Sequence, residues 1–211
     1  MKKIVLLLCL IFFVGTVFAQ DAQSYFKQGV ACVSAENCPQ AISNFKKANE
    51  LTGGNNPACQ FFIGLSYQMS ENYTQAVYWY RKAADQGVAE AQHNLGLCYA
   101  DGKGVTKDNK QAVYWYRKAA EQEVAEAQCD LGLCYASGKG VTKDVTQAVY
   151  WYRKAAEQGH GSAQGLLSLC YYKGNGVAMN LEQAKYWARK AIANDDTYTH
   201  IKLALQVVLQ H

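Results

Sequence analysis

Only two of the 211 residues are proline, and no stretch is rich in glycine and serine. Flexible linkers announce themselves through such residues. Their scarcity points to one continuous domain without an internal boundary. No C-x-x-C pair occurs, and the histidines His93, His160, His200 and His211 have no ligand spacing. A zinc site of the usual paired-ligand kind is thereby excluded, and no metal or other cofactor is implied. G-x-S-x-G and H-E-x-x-H, which set a nucleophile or a metal-bound water beside a base, are also missing. Charge of one sign is scarce as well: 21 Lys and Arg stand against 17 Asp and Glu, without runs. Nucleic-acid binding needs clustered cations, so that partner is not expected.

Only one long apolar run is present, Ile4 to Phe18, behind Lys2 and Lys3 and before Val17-Phe18-Ala19. A short basic start, an apolar centre and a small residue at the cut make a secretory signal peptide over residues 1–19. A retained anchor is the alternative reading of the same pattern, though the run is short for a span. Cleavage would leave residues 20–211 with no stable membrane insertion, 19 basic and 17 acidic side chains, and a charge near +2. The destination is then periplasmic or extracellular, in a bacterial setting.

What the sequence does have is a repeat. Trp79, Trp115, Trp151 and Trp187 follow one another at steps of 36, as do Arg81, Arg117, Arg153 and Arg189. The block AVYWYRKAA occurs three times, ending at Ala84, Ala120 and Ala156. Asn37, Asn72, Asp108, Asp144 and Asn180 each precede a glutamine by three residues (Gln40, Gln75, Gln111, Gln147 and Gln183). That is the spacing of a capping box, in which the Asn or Asp oxygen takes a first-turn amide and the glutamine reaches back. Before each box runs a second helical pattern, clearest in AQHNLGLCYA from Ala91 and AQCDLGLCYA from Ala127. Leu95, Cys98 and Tyr99 fall at i, i+3, i+4, a helical stripe. Gly96 and Gly132 cost helix propensity, so their recurrence marks close helix contact.

Helices are therefore predicted at 22–33, 39–51, 57–69, 73–86, 89–100, 109–122, 125–136, 145–158, 161–172 and 181–193. One more at 197–209 places Ile201, Ala204, Leu205 and Val208 inward as a terminal cap. The fold class is all-α: a solenoid of about five helix-turn-helix repeats (22–53, 57–87, 89–122, 125–158, 161–194) in a single domain, capped by 195–211. Three loops carry Gly102-Lys103-Gly104-Val105, Gly138-Lys139-Gly140-Val141 and Gly174-Asn175-Gly176-Val177. They lack the spacing and the Lys-Ser/Thr pair of a phosphate loop and read as inter-helix turns.

The pattern A-x-x-x-L-G-x-x-Y, then G-x-G-V, then A-x-x-W-Y-x-x-A-A resembles the Sel1-like repeat family. Copies starting at Ala91, Ala127 and Ala163 match closely, although the last has Ala188 where Tyr152 predicts an aromatic. The first two copies have short loops and look more like tetratricopeptide repeats. The resemblance implies a right-handed superhelix that acts as an adaptor or binding scaffold, with proteins or peptides as partners; it does not fix one role.

In that architecture the first helix of each pair lines an inner groove. The residues projecting there are Phe26, Val30 and Val33, then Phe61, Leu65 and Met69, then His93, Leu97 and Asp101. Cys129 and Leu133 follow, then Leu169 and Tyr172. An apolar strip of this kind suits a helix or an extended peptide with spaced anchors; the same residues could equally pack between first helices. Most carboxylates and aromatics follow the repeat, whereas a catalytic site is single. The chain is therefore expected to be a non-enzymatic exported scaffold, the alternatives being an envelope-acting hydrolase or a structural spacer.

Seven cysteines lie beyond residue 19. Cys98, Cys134 and Cys170 recur at 36 and fit as small buried groups, roughly 10 Å from their equivalents and beyond disulfide reach. Cys32 and Cys38 flank the turn after the first helix. A bridge between them and a pair of free thiols are both open in an oxidising compartment.

Overall fold

The computed structural model describes residues 20–195 and 197–210. The signal-peptide assignment to 1–19 lies outside the described residues. Eleven helices and no strands occur among those described: α1 Gln20–Ser34, α2 Cys38–Leu51, α3 Pro57–Met69, α4 Tyr73–Asp85, α5 Ala89–Asp101, α6 Asn109–Glu121, α7 Ala125–Ser137, α8 Val145–Glu157, α9 Gly161–Lys173, α10 Leu181–Ile192 and α11 Thr199–Gln210. All eleven predicted helices are present, with ends within two residues of the expected ones. None is long and apolar enough to cross a membrane.

The chain packs as two compact units, one up to Lys107 and one from Asp108 onward. In the first, α1 packs on α2 and α3 on α4, and α2·α3 and α4·α5 join the pairs. In the second, α7 packs on α8 and α9 on α10, α6·α7 and α8·α9 join them, and α11 closes against α9 and α10.

The helix starts are set by the repeated Asn and Asp. Asn37 and Asn72 accept the amides of Gln40 and Gln75 at 3.3 Å each, and Asn180 that of Gln183 at 3.0 Å. Asp108 and Asp144 each take two amides, at 2.9 and 3.1 Å and at 3.0 and 3.0 Å. The return leg of the box is replaced by backbone: the N–H groups of Asn37, Asn72, Asp144 and Asn180 donate to the carbonyls of Cys32, Tyr67, Tyr135 and Tyr171 at 2.8–3.0 Å. The ends of α5, α7 and α9 carry Gly102, Gly138 and Gly174 at positive φ. The second loop glycine has another duty. A Cβ on Gly140 would strike the Asn109 carbonyl, and one on Gly104 that of Tyr73, so the loop lies against the start of the preceding second helix.

Within a hairpin the two helices meet as a ring in a notch. A Cβ on Gly29 would stand 2.6 Å from the Phe45 ring, one on Gly64 2.7 Å from Tyr80, and one on Gly132 2.6 Å from Tyr152. All three rings are buried. In the last pair Ala188 replaces the ring, and Ser168 fills the notch, donating to the Ala184 carbonyl at 2.7 Å. Glutamines tie one pair to the next. Gln92, Gln128 and Gln164 donate to the carbonyls of Ala84, Ala120 and Ala156 at 3.1–3.2 Å. Gln60 and Gln128 accept from Gln86 and Gln158 at 2.7 and 2.8 Å.

The cap α11 buries Ile201, Leu205 and Val208 against Ala184, Ala188 and Ala191. Ala204, expected on that side, is exposed. Ile201 fills the space above Gly165, and that seating turns Ala204 outward.

Two predictions follow from the packing. Gly132→Ala is expected to lower unfolding free energy by roughly 1–3 kcal/mol, as overpacking does. Gly132→Ser combined with Tyr152→Ala recreates the Ser168–Ala188 pair and should cost less than the sum of its single changes; additivity in urea melts would contradict the notch. Glu123 holds φ 66 where Gly87 and Gly159 occupy the equivalent turns. Relief of a left-handed non-glycine makes Glu123→Gly stabilising by about 1 kcal/mol, read as a higher urea midpoint.

Candidate partner-binding surfaces

The first helices do not present the expected strip as one open face. In the first unit Phe26 is half-buried, with its ring 5.4 Å from Phe45 and 5.3 Å from Phe62. Val33 and Phe61 are buried at 7% and 4% exposure, and the Phe61 ring sits 6.0 Å from that of Tyr80. Val30, Leu65, Met69 and His93 are half-buried. Leu97 stands out at 36% exposure, and the exposed Asp101 pairs with Lys103 at 3.3 Å. In the second unit Cys129 lies in the core beside Ala148 and Tyr152, and Leu133 is exposed at 40%. Leu169 and Tyr172 are half-buried against the cluster that α11 completes.

Val33, Phe61 and Cys129 therefore serve helix packing and offer no free surface, because their positions turn toward the neighbouring helix. The accessible apolar positions that recur in first helices are Leu65 and Leu97 in one unit, and Leu133 and Leu169 in the other.

Cys32 and Cys38 both carry free thiols. The Cys32 sulfur accepts from the Asn44 amide at 3.8 Å, and the Cys38 thiol donates to the Glu36 carbonyl at 3.8 Å. Burial pushes the Cys59 thiol up to about 12, and those of Cys98, Cys134 and Cys170 up to about 11. These thiols stay protonated at neutral pH and are poor nucleophiles. No group of three or more His, Cys, Asp or Glu that could hold a metal ion occurs among the described residues.

A second surface was not anticipated. The last tyrosine of each YWY block is buried, as Tyr80, Tyr116 and Tyr152 show. The first tyrosine faces solvent instead. Tyr78, Tyr114, Tyr150 and Tyr186 are 51, 47, 47 and 46% exposed. Each ring meets the following tryptophan edge-on at 4.9–5.3 Å between centroids. A lysine four residues on holds its ammonium over the tyrosine ring: Lys82 at 4.9 Å, Lys118 at 4.9 Å, Lys154 at 5.4 Å and Lys190 at 4.8 Å. Beside it Arg117 donates to the Tyr135 hydroxyl at 2.8 Å and Arg153 to that of Tyr171 at 2.9 Å; Arg81 does the same to Tyr99. The i, i+3, i+4 spacing of tyrosine, arginine and lysine was the available signal.

Comparison with known proteins places this geometry. The family model of the Sel1 repeat matches residues 57–88, 89–124, 125–160 and 161–196. That includes the short-loop pair at 57–88 and leaves out the first pair. A solved Sel1 repeat protein from Oxalobacter formigenes is 37% identical, with a TM-score of 0.72, covering 80% of this chain and 70% of that one. The structure of c5321, a protective antigen of uropathogenic Escherichia coli displaying an SLR fold, is 36% identical, with a TM-score of 0.74. That match covers 82% of this chain and 38% of that one. The DAP3-binding cell death enhancer 1 of Rattus norvegicus is 40% identical over 47 residues, which are 22% of this chain and 9% of the rat protein. This chain thus spans well under half of c5321 and of the rat protein.

The raised thiols give a pH dependence. An unfolded cysteine ionises near its ordinary 9.0, whereas the folded ones hold their protons to about 11 or 12. The unfolded state therefore binds fewer protons above pH 9, and stability falls from there as pH rises through the folded values. The urea midpoint is expected to decline between pH 9 and 11, less steeply in Cys59→Ala; identical slopes would show that this thiol does not contribute.

Proposed function

The chain belongs to the Sel1 repeat family, and on that premise we propose that it is an exported, non-catalytic scaffold that holds a protein or peptide on the first helices of its repeats. A Sel1 repeat scaffold is suited to protein–protein interaction, since its stacked hairpins expose the same positions again and again at fixed intervals. The observation that carries the reading is the leucine left accessible on first helices within each unit, Leu97 at 36% exposure in the first and Leu133 at 40% in the second. An apolar side chain at a fixed repeat position supplies an anchor site for a partner with spaced apolar residues. The DAP3-binding relative, matched over 47 residues, supports an interaction role in kind and leaves the partner of this chain to be found. Export to the periplasm or beyond rests on the pattern in residues 1–19.

A cysteine-dependent envelope hydrolase would need a thiol of lowered pKa, and the thiols of Cys59, Cys98, Cys134 and Cys170 are shifted the other way. The spacer reading differs from the scaffold in predicting no saturable partner.

The test uses the chain from residue 20 onward against a displayed peptide library. Leu97→Asp and Leu133→Asp are each expected to weaken the selected peptides by about tenfold or more while leaving the melting curve in place. Selected peptides that bind both variants as well as the parent would place the site elsewhere. Separately, fusion of residues 1–30 to a reporter active only outside the cytoplasm should yield activity, and a silent fusion would remove the export reading.

A further inference from the structure

We propose that the solvent-facing row on the second helices of the second unit, built on Tyr114, Tyr150 and Tyr186 with their paired cations, binds an acidic polysaccharide chain. It is separate from the first-helix leucines and does not rest on them.

The three tyrosines occupy one position of the repeat on α6, α8 and α10, and their exposures of 47, 47 and 46% are nearly equal. All three rungs share a tyrosine, a tryptophan and a lysine, and the first two add a pinned arginine. A phenol ring is braced edge-on by its tryptophan, with Lys118, Lys154 or Lys190 held above it. Arg117 and Arg153 are pinned beside the ring through single hydrogen bonds to Tyr135 and Tyr171. Each guanidinium keeps further N–H donors for a ligand, since it offers five in all. None of these lysines is held by a carboxylate among the described residues, so each ammonium rests on ring faces. Cations fixed in this way lose little freedom when they take up an anion.

The composition of a rung selects the class of ligand. A partner helix would need deep apolar sockets, and the row offers little of that kind, since Trp115 and Trp187 are turned inward at 7 and 8% exposure and Trp151 is half-buried. The same inward turn removes the large apolar side chains by which an amphipathic face enters a membrane. Nucleic-acid surfaces are built from clustered cations, whereas each rung here offers one lysine and at most one arginine, with Glu121 and Glu157 one turn beyond in their helices. A sugar ring has a C–H-rich face that lies on an exposed aromatic, hydroxyls that meet a phenol, and in uronic acids one carboxylate that fits an arginine or lysine. A polymer of such units matches a row in which the tyrosine–lysine pair recurs and each contact is weak, because linked contacts add avidity.

The probe is polygalacturonate, with its fully methyl-esterified form, poly-glutamate and phosphatidylglycerol vesicles as comparisons, all against the chain from residue 20 onward. Polygalacturonate is expected to bind, and the esterified polymer about tenfold less tightly or worse. Replacing Lys118, Lys154 and Lys190 by Gln should lower affinity by about tenfold or more, and replacing Tyr114, Tyr150 and Tyr186 by Ser should do the same. The single change Tyr150→Ser, with a smaller loss and an unchanged melting curve, guards against misfolding of the triple variants. Loss in the lysine variant with none in either tyrosine variant would reduce the row to bare charge and overturn the proposal. So would equal binding of poly-glutamate or the vesicles, or no binding of polygalacturonate.

Discussion

The seating of an aromatic ring in a glycine notch governs this molecule. Phe45 over Gly29, Tyr80 over Gly64 and Tyr152 over Gly132 draw the two helices of a hairpin together so closely that a methyl group at the glycine would overlap the ring. An interior glycine costs roughly 1 kcal/mol of helix propensity. The cost is offset because the notch lets a large ring be buried whole, worth about 1.5–3 kcal/mol by area. The last pair solves the same problem with other residues. With Ala188 in place of the ring, Ser168 can occupy the notch, and its hydroxyl finds a carbonyl at 2.7 Å.

Once the hairpin is closed, the remaining positions are assigned. The inward tyrosine of YWY is committed to the notch, so the other tyrosine, two residues earlier, is turned to solvent with a lysine one turn on. On the first helix, the glycine side faces its partner, and the leucine next to it is left at the edge of the packing, as Leu97 and Leu133 are. The two candidate surfaces are thus by-products of one contact, repeated. Repetition suits partners that are themselves extended, because several modest contacts in register can hold what one cannot.

Where the repeat ends, the pattern breaks in ways that show what it supplied. Gln128 has both its amide and its carbonyl oxygen satisfied, the latter by Gln158. Gln164 keeps the first bond, but its side-chain oxygen is buried without a partner. The residue one step after Gln158 is Asn194, which is a methylene shorter and donates to the Gly159 carbonyl at 2.6 Å instead. The cap α11 takes over at this point. Ile201 sits above Gly165, Thr197 donates to the Ala191 carbonyl at 2.6 Å, and the apolar face of the last pair is covered. A terminal helix with a different sequence is what a stack of identical units requires.

Periodicity and capping chemistry are local properties, so the sequence by itself determined the eleven helices, their starts at Asn37, Asn72, Asp108, Asp144 and Asn180, the pairing into hairpins and the close approach at the glycines. It also marked the Sel1-like pattern, because that pattern consists of short-range spacings. It could not sort residues that share a helical stripe. Val33, Phe61 and Cys129 read like Leu97 and Leu133, and only the position of the neighbouring helix put the former inside and left the latter at the surface. The two tyrosines of each YWY block are likewise equivalent in composition, yet they lie about 200° apart around a helix of 3.6 residues per turn. Which of them entered the notch, and therefore which became a surface, was decided by packing against another helix.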